Sequence, residues 1–351
     1  MKKLISMKAV VFIAFLALIL VGCSNNETVA PETTNQEETE GTTEDTTAEV
    51  EETEKPTEVE ITDAHGTVTV PVNPGVVVAL DSRTYETLDS WGIEIAAAPK
   101  PLLADEISYK TNDAIQDVGN HREPNLEVIA AVNPDLVIVG QRFGGFYEEI
   151  VALVPDAVVI DLNIDTSEDT DTAGENLVNG FRDYTIVLGQ IFDKNEEAAQ
   201  IVADFDLSIE NARAAYNGTD TIMSIIVSGG EIRFAAPSSG RVWGPLYEIF
   251  GWVSSLDVDG ASSDHQGDDI SIEAIAQSNP DWIFVMDRDA MNAGQEGVVP
   301  AHDVISNSPA LQNITAITSG NVFYAPDNIY TNETIQSFTA LFNDLAAELS
   351  N

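Results

Sequence analysis

Cysteine occurs once in the 351 residues, at Cys23, so an intramolecular disulfide is excluded. Basic residues are scarce as well: 15 Lys and Arg stand against 59 Asp and Glu, for a formal net charge of −44. A phosphate backbone needs a basic footprint, so this balance excludes a nucleic-acid partner. It also opposes electrostatic adhesion to an anionic bilayer. Histidine is limited to His65, His121, His265 and His302, and HExxH, GxSxG, GxGxxG and P-loop patterns are all missing. Asp63 with His65 and Asp264 with His265 have no identifiable nucleophile or set of metal ligands beside them. The chain is therefore expected not to be an enzyme, with metal-dependent catalysis a distant alternative.

What is present begins with a targeting segment. Lys2, Lys3 and Lys8 precede the 13-residue apolar run Ala9–Val21, shorter than the about 20 residues that a transmembrane helix needs. Leu20-Val21-Gly22-Cys23 resembles a bacterial lipobox, which implies a signal peptide over 1–22 and a lipidated Cys23 as the new N-terminus. Acyl chains at about 0.8 kcal/mol per buried CH₂ would then anchor the chain to the membrane. Residues 23–60 are rich in Glu and Thr and poor in large apolar side chains. Such a stretch cannot bury enough surface to offset its ordering entropy and reads as a disordered acidic linker.

The folded part is organised around a block that occurs twice. Residues 126–139 read LEVIAAVNPDLVIV and residues 272–285 read IEAIAQSNPDWIFV, at a constant offset of 146. Each copy predicts a helix stopped at proline and then a short buried strand. Asn125 is placed to cap the first of these helices. Arg142 and Arg288 stand at equivalent positions just past the two strands. Around the blocks, apolar runs and helical spacings alternate, giving strands near 76–80, 93–98, 157–162, 222–227 and 322–324. Helices are expected at 83–91, 147–153, 196–216, 244–250, 301–307 and 334–349. The expected fold is α/β: two Rossmann-like lobes with mainly parallel sheets, 61–174 and 193–351, joined by one long α-helix over 175–192.

Loops at the carboxyl ends of parallel strands are where open α/β sheets bind ligands. In a chain with so few cations, Arg142, Arg288 and Arg241, the last in the loop FAAPSSGRVWG, point to an anion held between the lobes. The alternative for each is a surface ion pair with one of the many acids. Phe143 and Trp243 flank two of these arginines and could either stack on an aromatic ligand or fill the core. Glu127 and Glu273 occupy equivalent positions early in the repeated helices, where the helix dipole alone favours a carboxylate.

The lipobox, the acidic linker, the HGTVTVPVNPGVVVALD opening, the single connecting helix and the NPD blocks together resemble the substrate-binding lipoproteins of iron-complex ABC importers. These form the helix-hinged group that serves ferric siderophores, haem and cobalamin. The resemblance covers about residues 60–349. It implies an extracytoplasmic, lipid-anchored receptor, expected to be a monomer, that hands its ligand to an ABC permease and the permease's ATPase. It implies no resident cofactor. The three arginines match the triad of catecholate-siderophore binders of the petrobactin- and enterobactin-type branch, which implies a ferric siderophore as ligand. Haem, cobalamin or ferric citrate is the alternative on the same scaffold. By the same resemblance, Tyr330 and His265 are candidate direct iron ligands, His265 one position away from an ungapped match. Glu127 and Glu273 are the candidate permease-docking acids.

Overall fold

A computed structural model describes residues 56–167, 170–258 and 262–350. Cys23, the signal peptide and most of the acidic linker lie outside the described residues. The first lobe opens with an antiparallel hairpin, β1 (Glu58–Asp63) and β2 (Gly66–Pro71). Its alternation buries Ile61 and Val70 and leaves most of the intervening side chains in solvent. The hairpin corrects the expected linker end: Glu58, Val59 and Glu60 already pair with β2, because apolar residues alternate from Val59 onward.

The lobe continues with β3 (Val77–Ala79), α1 (Tyr85–Ser90), β4 (Ala97–Ala98), β5 (Gln116–Asp117), α2 (Leu126–Ala131), β6 (Leu136–Val139), α3 (Tyr147–Leu153) and β7 (Val158–Asp161). Its sheet runs β5-β4-β3-β6-β7, all parallel. Val77, Ala79, Leu136 and Ile138 face one core, and Val78, Val137 and Val139 the other. A sheet covered on both faces explains why its strands read as unbroken apolar runs.

Two helices follow, α4 (Ala173–Ile191) and α5 (Asn195–Ala215). The 19 residues of α4 extend about 28 Å. Leu177 and Phe181, toward its start, belong to the core of the second lobe, while Leu188 and Ile191 belong to the first. This is the expected connecting helix. The second lobe comprises β8 (Thr221–Ser228), β9 (Glu231–Phe234), α6 (Gly244–Phe250), β10 (Val253–Ser254), α7 (Ile272–Ser278), β11 (Trp282–Asp287), α8 (Ala301–Ser306), α9 (Thr315–Ser319), β12 (Val322–Tyr324) and α10 (Ile335–Leu349). Strands β10-β8-β11-β12 are parallel, and β9 pairs antiparallel with the end of β8.

The repeated Asn-Pro-Asp does the same work in both lobes. Asn133 and Asn279 adopt φ of 48° and 46°, a left-handed conformation that asparagine tolerates and that ends α2 and α7. Asp135 then accepts from the Val76 amide at 2.8 Å, and Asp281 from the Thr221 amide at 2.8 Å. Each aspartate thus fixes the start of the neighbouring strand, β3 or β8. The expected cap differs between copies: Asn125 makes no side-chain bond at α2, whereas Ser271 accepts from Ala274 at α7.

Candidate functional site

Both sheets change winding direction beside the repeated strand, between β3 and β6 in the first lobe and between β8 and β11 in the second. The crevice outside the carboxyl ends of such strands is where a ligand fits. Asp81 and Arg83 follow β3 there, Gln141 and Arg142 follow β6, and Arg288 follows β11. Close packing fixes the first of these ends, since a Cβ on Gly140 would stand 2.3 Å from the Asp81 carboxyl. Arg288 is held by its amide, which donates to Val227 at 3.0 Å.

Arg241 comes from the loop between β9 and α6. Ser238 and Val242 have φ of 69° and 65°, unusual for a β-branched residue such as Val242. A Cβ on Gly240 or Gly244 would meet loop backbone at 2.5 and 2.8 Å. The loop is therefore tightly determined, and strain of this kind persists where the surroundings over-determine the backbone.

The three arginines converge on Tyr330. Their guanidinium carbons lie 5.8, 4.9 and 5.2 Å from its ring centroid for Arg142, Arg241 and Arg288. The Tyr330 carbonyl accepts from Arg142 at 3.2 Å and from Arg241 at 3.4 Å, and its hydroxyl accepts from Arg288 Nε at 3.2 Å. Arg288 also donates to Ser228 at 3.1 Å and faces Asp289 at 3.6 Å. Arg241 is ion-paired with Glu333. Among the described residues, Arg142 has no ion-pair partner. Burial, and then the like charge of Arg241, push the Arg142 guanidinium down from its usual range. Arginine nevertheless stays charged. An anion entering here would relieve that repulsion.

The cleft beside these groups has a volume of about 270 Å³ and is lined by Gln141, Ile164, Thr166, Ser239, Arg241 and Glu333 among others. A larger hollow of about 580 Å³ lies along β1 and the end of α4, but its lining includes no arginine or lysine. The smaller cleft is the one that adjoins the arginine cluster, since Arg241 and its partner Glu333 line it.

The remaining expected site residues separate into two groups. His265 has a half-exposed side chain 3.7 Å from Asp264. Burial and then Arg288 hold its imidazole below the usual range. Phe143 and Trp243 are fully buried, in opposite lobes. Trp243 packs on Phe284 at 5.6 Å and Phe323 at 6.3 Å, and Phe143 on Phe146 at 6.3 Å. Neither ring reaches the cleft, which corrects the reading of them as stacking platforms. They face the apolar layers because burying their rings removes the largest apolar area available at those positions.

Three participants went unread in the sequence: His121, Arg83 and Glu333. The His121 Nδ1 is shut off from solvent with no hydrogen-bond partner among the described residues. Burial and then Arg142 depress its imidazole. Arg83 reaches across the lobes to Glu333 at 3.8 Å, with side chains 6% and 5% exposed. Glu86 adds a second bridge, accepting from Asn332 at 3.0 Å and from Thr334 at 2.5 Å. Nothing in the local pattern marks Arg83 or Glu86, because their partners lie in the other lobe.

Asp81 carries a pH prediction. Both carboxylate oxygens are buried. Burial raises its pKa from 3.8 to about 7, opposed by Arg83 and reinforced by Asp161 and Glu333. The folded protein therefore holds a proton that the unfolded chain releases near pH 4. This contribution to stability is complete below about pH 4 and is lost as pH rises through about 7. Asp81→Asn is expected to remove that loss. Urea unfolding at pH 5 and pH 8 checks it, with a smaller pH difference expected for the variant than for the parent.

The fold and site define a two-lobed solute receptor, with a charged cleft between α/β halves braced by one helix. The chain belongs to the periplasmic binding protein family, whose model matches residues 77–329. Petrobactin-binding protein YclQ of Bacillus subtilis is 29% identical over 265 residues, covering 75% of this chain and 77% of its own. Ferric-anguibactin-binding protein FatB of Vibrio anguillarum is 28% identical over 283 residues, covering 80% and 84%. The crystal structure of YclQ matches with a TM-score of 0.70 at 25% identity, over 84% of this chain and 99% of that one. A TroA-like periplasmic binding protein from Xylanimonas cellulosilytica matches at 0.68 and 27%, over 81% and 92%. The protein is a substrate-binding receptor and not an enzyme.

Proposed function

We propose that this receptor captures a ferric siderophore with anionic, catecholate-type donors and delivers it to an ABC importer for iron uptake. The observation that carries this reading is the convergence of Arg142, Arg241 and Arg288 on Tyr330 between the two lobes. Three cations in one partly desolvated cleft suit a ferric catecholate, whose negative charge is spread over its donor oxygens. The relatives named for petrobactin and ferric anguibactin support the same ligand class. Haem and cobalamin fit less well, because the two aromatic side chains beside the arginines lie in the core. Tyr330 and His265 are the candidates for direct donation to iron, as phenol and imidazole suit ferric iron. Titration by fluorescence quenching tests the ligand class: a ferric catecholate should bind tightly and a neutral ferric hydroxamate weakly. Equal affinity for both would sink the assignment.

Two further roles belong to this proposal. Lipidation at Cys23 would tether the receptor to the extracytoplasmic face of the membrane, in keeping with relatives that are named lipoproteins. Glu127 and Glu273 would dock the permease. Both are exposed and lie in the first turns of α2 and α7, at equivalent positions on the two lobes. Glu127→Ala with Glu273→Ala is expected to abolish cellular uptake while ligand affinity stays within about threefold, or about 0.65 kcal/mol. A loss of affinity in the purified double variant would refute the separation of roles.

A further inference from the structure

The three arginines are not electrostatically equivalent. Arg142 has no ion-pair partner among the described residues, Arg288 faces Asp289 at 3.6 Å, and Arg241 is bound to Glu333. The Glu333 side chain is only 5% exposed, and its two oxygens are divided between lobes. Oε1 takes Arg241 of the second lobe and Oε2 faces Arg83 of the first at 3.8 Å. The loop beneath it is pinned, because its neighbours Asn332 and Thr334 both donate to Glu86. The Nε atoms of Arg83 and Arg241 are buried and have no hydrogen-bond partner among the described residues.

We propose that Glu333 is an internal counter-ion that competes with the ligand for Arg241 and thereby sets the ligand charge the site selects. The proposal rests on the ferric-siderophore reading given above. A ligand that takes Arg241 must displace a carboxylate already bound there. Glu333 is not then left as an uncompensated buried charge, because Arg83 stays beside it. Arg83 therefore makes the exchange feasible. With Arg241 neutralised, the cleft presents mainly Arg142 and, in part, Arg288. A singly charged ferric complex is satisfied by those two, whereas a triply charged one must also win Arg241 from Glu333.

The test compares three ferric complexes on the purified receptor: a triply charged tris-catecholate, a singly charged tetradentate bis-catecholate and a neutral tris-hydroxamate. Glu333→Gln keeps the size of the side chain and removes its charge. It is expected to raise affinity for the tris-catecholate about tenfold, for the bis-catecholate less than about threefold, and for the hydroxamate not measurably. In an Arg241→Ala background the tris-catecholate gain should shrink below about threefold. A second measurement does not depend on the Glu333 variant folding: Arg241→Ala alone should cost the tris-catecholate less affinity than Arg142→Ala does. Equal changes for all three complexes, a weakened tris-catecholate in Glu333→Gln, or an Arg241→Ala loss as large as that of Arg142→Ala would overturn the proposal. If the unaltered receptor binds none of the complexes, the siderophore reading itself fails, and this inference falls with it. If it binds them without the charge-dependent shift, only this inference fails.

Discussion

Replacing Arg142 and Arg288 together by alanine is expected to weaken binding of an anionic ferric catecholate by about a thousandfold. Truncating one side of a buried, hydrogen-bonded charge pair costs about 2–5 kcal/mol. The cleft is not fully dry, since the Arg288 side chain remains 23% exposed, so the lower end applies to each arginine. Two such losses come to about 4 kcal/mol, close to three powers of ten in affinity. Arg142 should contribute the larger share, because among the described residues it has no ion-pair partner, whereas Arg288 faces Asp289. A neutral ferric hydroxamate should lose less than about tenfold, since it offers no charge for the guanidinium groups to meet. Circular dichroism of the double variant guards against unfolding. A folded variant that keeps its catecholate affinity would remove the arginines from the ligand site.

Trp243→Ala should lower the stability of the fold by about 3–5 kcal/mol, the usual cost of emptying a buried aromatic position. The side chain is fully buried against Phe284 and Phe323, at the centre of the second lobe's core. Its indole nitrogen has no hydrogen-bond partner among the described residues, so Trp243→Phe sacrifices volume but no polar contact found there. That variant should cost no more than about 2 kcal/mol and should bind a ferric catecholate as the parent does. Urea unfolding of both variants, with ligand titration of Trp243→Phe, separates the two roles that residue 243 could have. Retained stability with lost affinity in the phenylalanine variant would return the side chain to the cleft.

Phe143 and Trp243 also mark the limit of reading in one dimension. Each adjoins or nearly adjoins a cleft arginine in sequence, yet each points into a core. In a regular strand, alternation would have told the two directions apart. The loop carrying Arg241 has left-handed residues at Ser238 and Val242, so no period survives there to be read. Short edge strands escaped for a related reason. Gln116 and Asp117 of β5 are exposed and polar, and only pairing with β4 makes them a strand.

By itself the sequence determined the two α/β lobes, the connecting helix and the positions of Arg142 and Arg288. Unbroken apolar runs, helical spacing and the paired Asn-Pro-Asp punctuation are local signals, and they were repeated at a fixed offset. α3, α6 and α7 fall on the expected residues for that reason. The tertiary structure alone decided that Tyr330 is the point on which the arginines converge, that Glu333 holds one of them, and that Arg83 and Glu86 brace the lobes. Those contacts join residues far apart in the chain, and an acid among 59 acids carries no local mark of the cation it will meet. Secondary structure is written in neighbouring residues, whereas the charge of the cleft exists only once the two lobes come together.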